Sequence, residues 1–141
     1  MTRIARLPTL ADVQRTRPRA NPKLVTRLTR AIAKKAARLA DARQLAAWAK
    51  AVKERDQWRD RRTGQIVRRT RALDPQRAEA HHLVDKADRA VRYDVRNGIC
   101  LSLETHDLVE RHVLRIEGTV FFWKAGVRYI DATYPVRFVP T

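Results

Sequence analysis

Three of the four histidines in this 141-residue chain fall between residues 81 and 106, and their spacing suits metal-assisted chemistry. His81 and His82 are adjacent at the end of a predicted strand, so their imidazoles should point to opposite sides of the chain. His106 lies at the start of a predicted helix, from which it can point back toward that strand end. Two neutral imidazoles, together with phosphate oxygens and water, can hold one divalent ion. The remaining histidine can then take a proton from an attacking water.

Asn97 lies between these histidines and can orient such a base. Its amide can bond either a ring nitrogen or a backbone group, and so fix the base and its loop. Each residue has an ordinary alternative: His106 as a surface helix residue, Asn97 as a turn former before Gly98, and the adjacent histidines as incidental. The joint pattern, not any single residue, indicates chemistry.

The pattern resembles that of the HNH nuclease family. Residues 80–83 are similar to the family's strand-end (D/H)-H-(I/L), residues 97–99 to its middle N-x-(I/L), and His106 to its final histidine. Residues 52–64 are similar to its lead-in RD-x-W-x-C-x-x-C-G. The resemblance covers about residues 52–112.

The resemblance implies a ββα-metal core, in which two strands and a helix hold one divalent ion. His81 and His106 would then be metal ligands, His82 the general base, and Asn97 the residue that orients it. Glu110, one turn after His106, is a further candidate ligand, with a solvated helix residue as the alternative. The ion would be Mg²⁺ or Mn²⁺, with Zn²⁺ or Ni²⁺ as alternatives, and the reaction would be hydrolysis of DNA phosphodiester bonds.

Many members of that family carry four cysteines that hold a structural zinc around the core. When the motifs are aligned, the four cysteine positions are occupied here by Asp60, Thr63, Ser102 and Thr105. None of these residues has a thiol, so we expect no structural zinc. The single cysteine, Cys100, is two residues out of register and is predicted to be a small buried residue. The C-terminal hairpin and the helical segment are the candidates to brace the motif instead.

These residues must be positioned by a mixed, α+β set of elements. Asn21-Pro22 is typical of a helix start, and the apolar spacing that follows predicts either one long helix or two with a bend near Ala40. The sequence predicts short strands at residues 65–67 and 78–84, a turn at Asn97-Gly98, and a helix over residues 103–111. It also predicts a β-hairpin over residues 119–130 and an edge strand over residues 134–139. The predicted divisions are a flexible basic arm (1–20), a basic helical segment (21–57), the HNH core (58–112) and a C-terminal β-hairpin extension (113–141).

The charge of the chain indicates a polyanionic partner. Lys and Arg number 31 against 15 Asp and Glu, which gives +16, and residues 1–71 hold 21 of those bases and 5 of those acids. The whole excess therefore lies in the first half, as a DNA-binding segment would place it. The basic helical face has a plain alternative, a solvated surface over an apolar stripe.

Several arginines are candidate phosphate contacts. Arg89, Arg92 and Arg96 either hold phosphates beside the scissile bond or pair with Asp85, Asp88 and Asp94. Further predicted nucleic-acid contacts are Arg59, Arg61, Arg62, Arg68 and Arg69.

Other classes are disfavoured by the sequence. It has no apolar run long enough to span a membrane, no secretory signal pattern, and one cysteine, which cannot form an internal disulfide. We therefore expect a cytoplasmic, nucleoid-associated DNA endonuclease, acting alone or with a partner protein or guide nucleic acid, and no membrane partner. The alternative function is a non-catalytic DNA- or RNA-binding protein on an HNH-like scaffold.

Overall fold

The fold is α+β, with one long helix, one short helix and three two-stranded antiparallel sheets in the described part of the chain. A computed structural model describes residues 21–141, and the arm predicted over residues 1–20 lies outside them. In order, the elements are α1 (Pro22–Arg55), β1 (Ala78–His82), a 3₁₀ turn (Val95–Asn97), β2 (Gly98–Ser102), α2 (Leu103–Glu110), β3 (Leu114–Gly118), β4 (Phe121–Lys124), β5 (Val127–Ile130) and β6 (Val136–Pro140). No helix among residues 21–141 is both long and apolar enough to cross a membrane.

Helix α1 is continuous, which decides between the two alternatives that the sequence left open. It begins as predicted, with the Asn21 side chain accepting a hydrogen bond from the Lys23 amide at 3.0 Å. Asp41 does not start a second helix, because its carboxylate accepts hydrogen bonds from the side chains of Arg92 and Tyr93 instead of capping a helix end.

The chain divides into two compact units at Leu39–Ala40. The sequence pattern predicts a boundary near residue 57 instead. The difference arises because Trp48 and Val52 are buried, and Arg55 donates hydrogen bonds to backbone carbonyls near β2. The second half of α1 therefore belongs to the unit that carries the histidines.

Residues 21–39, taken by themselves, form an exposed amphipathic helix. Leu24, Leu28 and Ile32 follow one another at helical spacing and are each more than half exposed. At 100° per residue, five bases lie together on a different arc of the helix: Lys23, Arg27, Arg30, Lys34 and Arg38.

Strands β1 and β2 pair antiparallel, and α2 follows β2 directly. The register places His82 opposite Gly98 and His81 opposite Ile99. Helix α2 confirms the predicted helix, and its N-cap Ser102 accepts a hydrogen bond from the Thr105 amide at 3.1 Å. The sequence did not predict β2, because its five buried residues have no alternation and run straight into the helix.

The C-terminal hairpin is confirmed as β4 and β5. Its two turn residues, Ala125 and Gly126, have φ values of 50° and 78°, as a two-residue hairpin turn requires. The predicted edge strand is β6, which pairs with the unpredicted β3. The strand predicted at residues 65–67 is wrong: only a single bridge joins Ile66 to Arg59.

Candidate metal centre and active site

The two histidines at the end of β1 lie in different surroundings, as expected for adjacent residues of a strand. Successive strand residues face opposite sides, and here the His82 ring lies on Trp48, whereas the His81 ring meets His106. The His81 and His106 rings are edge to face, with centroids 5.2 Å apart. The two rings therefore have different neighbours, although both residues line one cleft.

His81, His106 and Glu110 converge on one point. Helix α2 presents His106 and Glu110 one turn apart on the same face, and the end of β1 brings His81 to them. Glu110 Oε1 lies 3.5 Å from His81 Nδ1 and 3.7 Å from His106 Nε2. One ligand atom from each of the three residues lies within 4.8 Å of the other two. The structure therefore brings the Glu110 carboxylate close to both imidazoles.

The electrostatics of this cluster suit a cation. Burial, with the neighbouring His106 as a second cause, lowers the pKa of His81 to about 4, although Glu110 opposes the shift. His81 is therefore neutral near neutral pH and keeps a lone pair for a metal. The cluster opens into a cleft of ≈ 500 Å³ that is also lined by Ala80, Asp85 and Lys86.

His82 is held in one orientation and one tautomer. Its ring is stacked on Trp48, with centroids 3.7 Å apart and planes 10° apart. Its Nε2 lies 2.9 Å from the Arg92 carbonyl oxygen. A carbonyl only accepts, so Nε2 carries the hydrogen and Nδ1 of the neutral ring keeps a lone pair. Burial lowers the pKa of His82, against the hydrogen bond to Arg92, and so favours this neutral form.

Asn97 acts on the loop rather than on the His82 ring. The residue is buried, and its Oδ1 accepts a hydrogen bond from the Val84 amide at 2.9 Å. Its Nδ2 donates to the carbonyls of Val84 and Val91, each at 3.3 Å. Asn97 therefore closes the loop that presents the Arg92 carbonyl, and its effect on His82 is indirect.

Trp48 is a residue in contact with His82 that the sequence pattern did not single out. Besides stacking on His82, its indole nitrogen donates a hydrogen bond to the Asp94 carbonyl at 3.0 Å. Its ring lies directly on the backbone of β2, where a Cβ added to Gly98 would stand 2.4 Å from Trp48 Cζ2. The glycine after Asn97 was the available signal, since glycine within a strand marks a close approach.

The three arginines of the loop have three different surroundings, and only Arg96 has the carboxylate partner that one of the predicted alternatives named. Arg96 pairs with Asp94 at 2.9 Å, as the ion-pair alternative predicted. Arg92 pairs instead with Asp41 of α1 at 2.7 Å. Arg89 is exposed and makes no side-chain hydrogen bond or ion pair within residues 21–141. Of the three, Arg89 keeps its charge most accessible to a phosphate.

The five candidate arginines between residues 59 and 69 divide into those with and those without a carboxylate partner. Arg61 is committed to Asp56 at 2.7 Å and Arg68 to Asp74 at 2.6 Å. The other three are exposed and lack carboxylate partners in the described part of the chain: Arg59, Arg62 and Arg69. Arg59 donates a hydrogen bond to the Gly64 carbonyl, and the Arg69 guanidinium lies over the Trp58 ring.

A buried polar network occupies the positions where the resemblance places zinc-binding cysteines. Asp60 Oδ1 accepts hydrogen bonds from the amides of Arg62 and Thr63, and Oδ2 accepts one from the Ser102 amide at 2.8 Å. The Ser102 and Thr105 hydroxyls are 3.1 Å apart. The network links the 60–64 turn to the β2–α2 junction, so the motif is braced locally rather than only by the predicted hairpin and helix.

Cys100 is a buried residue, as predicted. Burial, with nearby Asp56 as a second cause, raises the pKa of its thiol to about 12. The thiolate that would bind a metal is therefore absent near neutral pH.

No family model matches the chain, and no curated protein or solved structure matches it. Function must therefore be inferred from the geometry of the site itself.

Proposed function

We propose that this protein is a divalent-metal-dependent endonuclease that hydrolyses DNA phosphodiester bonds, with β1, β2 and α2 as a ββα-metal core of HNH type. One observation carries the proposal. His81, His106 and Glu110 form a compact ligand set on one side of β1, and the next residue, His82, is held with a free basic nitrogen. A ligand set beside a positioned base is the arrangement that metal-assisted hydrolysis needs.

The donor atoms fit one divalent ion. Two imidazoles and one carboxylate would hold Mn²⁺ or Mg²⁺, with Zn²⁺ and Ni²⁺ as alternatives that imidazole donors favour. When bound, the ion would supply Lewis-acid stabilisation of charge on the phosphate oxygens. The cleft is open on the Glu110 side, where that side chain is 58% exposed, so a phosphate can reach it.

The remaining chemistry belongs to the side chains of the chain itself. His82 Nδ1 takes the proton from water as its oxygen attacks phosphorus. The bond from phosphorus to the 3′ oxygen breaks, and that oxygen leaves with the electron pair and takes a proton from solvent water, which gives a 3′-hydroxyl and a 5′-phosphate. The Arg92 carbonyl keeps its hydrogen bond to Nε2–H and stabilises the imidazolium that forms. Trp48 prevents the ring from turning.

Binding to DNA is supported by the charge distribution. The excess of +16 lies within residues 1–71. The five aligned bases of residues 21–39 and the exposed Arg62 and Arg89 offer phosphate contacts that read no sequence. We propose a cytoplasmic, nucleoid-associated setting on the same basis.

Plasmid cleavage tests this function most directly. Supercoiled plasmid is incubated with the full chain and Mg²⁺, Mn²⁺, Ni²⁺ or Zn²⁺, with EDTA as the control. We expect nicked or linear product with at least one ion and none with EDTA. DNA binding without cleavage under every ion would instead support the non-catalytic nucleic-acid-binding alternative.

Replacing Glu110 with glutamine should weaken binding of Mn²⁺ by more than about tenfold, since loss of even a group that only orients a ligand can cost that much. Isothermal titration calorimetry of the purified protein measures this. Glu104→Gln is the matched control, because Glu104 is an exposed carboxylate in the first turn of the same helix. Equal affinities of the two variants would remove Glu110 from the ligand set.

Replacing Trp48 with leucine should lower kcat by about 10- to 100-fold with little change in KM, since a small misplacement of a reacting group has that effect. Trp48→Phe retains a ring to stack on His82 and should restore much of the rate. Single-turnover plasmid cleavage measures both variants, with circular dichroism to verify folding. A rate loss that is identical in the phenylalanine variant would mean that stacking does not position His82.

A further inference from the structure

The outer face of the β4–β5 hairpin carries two exposed aromatic rings and a guanidinium. The register pairs Phe121 with Ile130 and Trp123 with Arg128, so these four side chains share one face of the hairpin. Trp123 is 71% exposed and Phe121 42% exposed. The Arg128 guanidinium lies 4.4 Å from the centre of the Phe121 ring. Large aromatic side chains exposed together on one surface commonly mark a binding site.

The opposite face of the hairpin fixes the direction in which these rings point. Phe122 and Tyr129 are buried there, and both pack with Val91 of the loop between β1 and β2. The Tyr129 hydroxyl donates a hydrogen bond to Asp88 at 2.8 Å. Because strand residues alternate, anchoring Phe122 and Tyr129 holds Phe121 and Trp123 outward.

The hairpin is anchored on the loop that holds the catalytic base. Lys124 Nζ lies 3.0 Å from Asp94 Oδ2, and the Arg96 guanidinium lies 3.9 Å from the Phe122 ring centre. The same loop presents the Arg92 carbonyl to His82. The exposed rings are therefore joined to the active site through one packed element.

We propose that this outer face stacks on unpaired nucleobases, so that the enzyme binds DNA with a single-stranded segment. The inference rests on the proposed nuclease function and names its substrate class. Every base has a π-face that an exposed indole or phenyl ring can cover, and this stacking tolerates any sequence. Arg128 adds a cation that can stack on a base or meet a phosphate. Inside a duplex the π-faces are covered by neighbouring base pairs, so only unpaired bases can take this position.

Charge and area favour a nucleic acid over a protein partner. Residues 119–130 contain Lys124 and Arg128 and no carboxylate, which complements a polyanion. An aromatic side chain buries about 150–250 Å² when fully covered, so the exposed parts of these two rings offer less than about 300 Å². A stable protein interface buries about 800 Å² on each partner. Two stacked bases, in contrast, would match the two rings.

The test compares single-stranded and duplex DNA without cleavage. Fluorescence anisotropy, in EDTA, measures binding of the full chain to labelled oligothymidylate, to an abasic strand of the same length, and to a blunt duplex. Replacing Trp123 with leucine should weaken binding to oligothymidylate by roughly 5- to 100-fold, the range of one base stacked on an aromatic ring. Binding to the duplex and to the abasic strand should change by less than about twofold, because phosphate contacts dominate there.

Two further variants keep the test interpretable. Phe121→Leu should give the same selective loss without altering the indole, and Val127→Ala is the control, because Val127 is exposed on the other face of the hairpin. Unchanged oligothymidylate binding in both leucine variants, or an equal loss with the duplex, would overturn the inference. A ribo-oligomer arm separates RNA from DNA, and a loss confined to that arm would overturn the assignment to DNA.

The two proposals can fail separately. Plasmid cleavage by a protein whose leucine variants bind every probe normally would refute the stacking face and leave the nuclease function standing. Selective stacking by a protein that, with every ion, cuts neither plasmid nor a DNA with a single-stranded segment would refute the nuclease function alone.

Discussion

Replacement of His82 with alanine should reduce the rate of plasmid cleavage by about 10²- to 10⁴-fold, the usual contribution of a positioned general base. The reason is geometric. The Arg92 carbonyl accepts the hydrogen on Nε2, so Nδ1 is the one ring nitrogen with a free lone pair, and alanine removes it. The proposed metal ligands are untouched, since the ring of His82 lies on Trp48 rather than on His81 or His106.

Two measurements separate the loss of the base from a loss of metal or fold. Single-turnover nicking at saturating Mn²⁺ reports the rate, and calorimetry reports Mn²⁺ affinity, which we expect to be unchanged within about twofold because the three ligands remain. His112→Asn is the matched control, because His112 is exposed and has a φ of 58°, which asparagine tolerates. A His82→Ala variant that cuts at the parental rate would assign the base to another group.

The spacing of the histidines predicted which side chains lie together, because their directions are set locally in the sequence. His81 and His82 are adjacent, and His106 and Glu110 are one helical turn apart, so strand alternation and helix periodicity determine their directions. Whether Glu110 would join the set depended on how the end of β1 meets α2, which is a tertiary contact. The sequence therefore left Glu110 between two alternatives, and the structure brings it to His81.

The parts of the site that were not predicted depend on contacts between distant residues. Trp48 and His82 are 34 positions apart, and the partners of Asn97 are backbone groups whose placement no side-chain pattern encodes. Likewise, β2 and β3 were missed because short strands without turn signals at both ends look like continuations of neighbouring elements. Strand β2 pairs with β1 and strand β3 with β6, and these pairings depend on contacts that form only when the sheets assemble.

The outer edge of β2 shows how the motif is held together. One edge of β2 pairs with β1, and the amides of Cys100 and Ser102 point away from it, to Asp56 Oδ2 and Asp60 Oδ2, each at 2.8 Å. The Cys100 carbonyl accepts a hydrogen bond from the Arg61 amide at 3.0 Å. Buried backbone N–H groups need hydrogen-bond acceptors. Here the carboxylates of Asp56 and Asp60 accept the hydrogen bonds that a further strand would otherwise accept along this edge of β2.

Replacement of Asp60 with alanine should lower the free energy of unfolding by about 1–3 kcal/mol, because that is the cost of leaving the buried Ser102 amide without a partner. Three amides lose their acceptor, those of Arg62, Thr63 and Ser102. Urea unfolding at neutral pH measures the loss. Asp107→Ala is the control, because Asp107 forms an exposed ion pair with Arg111 on α2 and should cost less than about 1 kcal/mol.

The pH dependence of this loss identifies the charge of Asp60 as its cause. Burial alone would raise the pKa of Asp60, but hydrogen bonds from Ser102, Thr105 and backbone amides outweigh burial and hold it below the ordinary 3.8. A carboxyl whose pKa is lower in the folded state stabilises the fold above its unfolded pKa and loses that effect as the pH falls through its folded pKa. The difference between parent and Asp60→Ala should therefore be full at neutral pH and shrink below pH 3.8. A difference that stays constant down to acid pH would mean that packing volume, rather than the ionised carboxylate, braces the turn against β2.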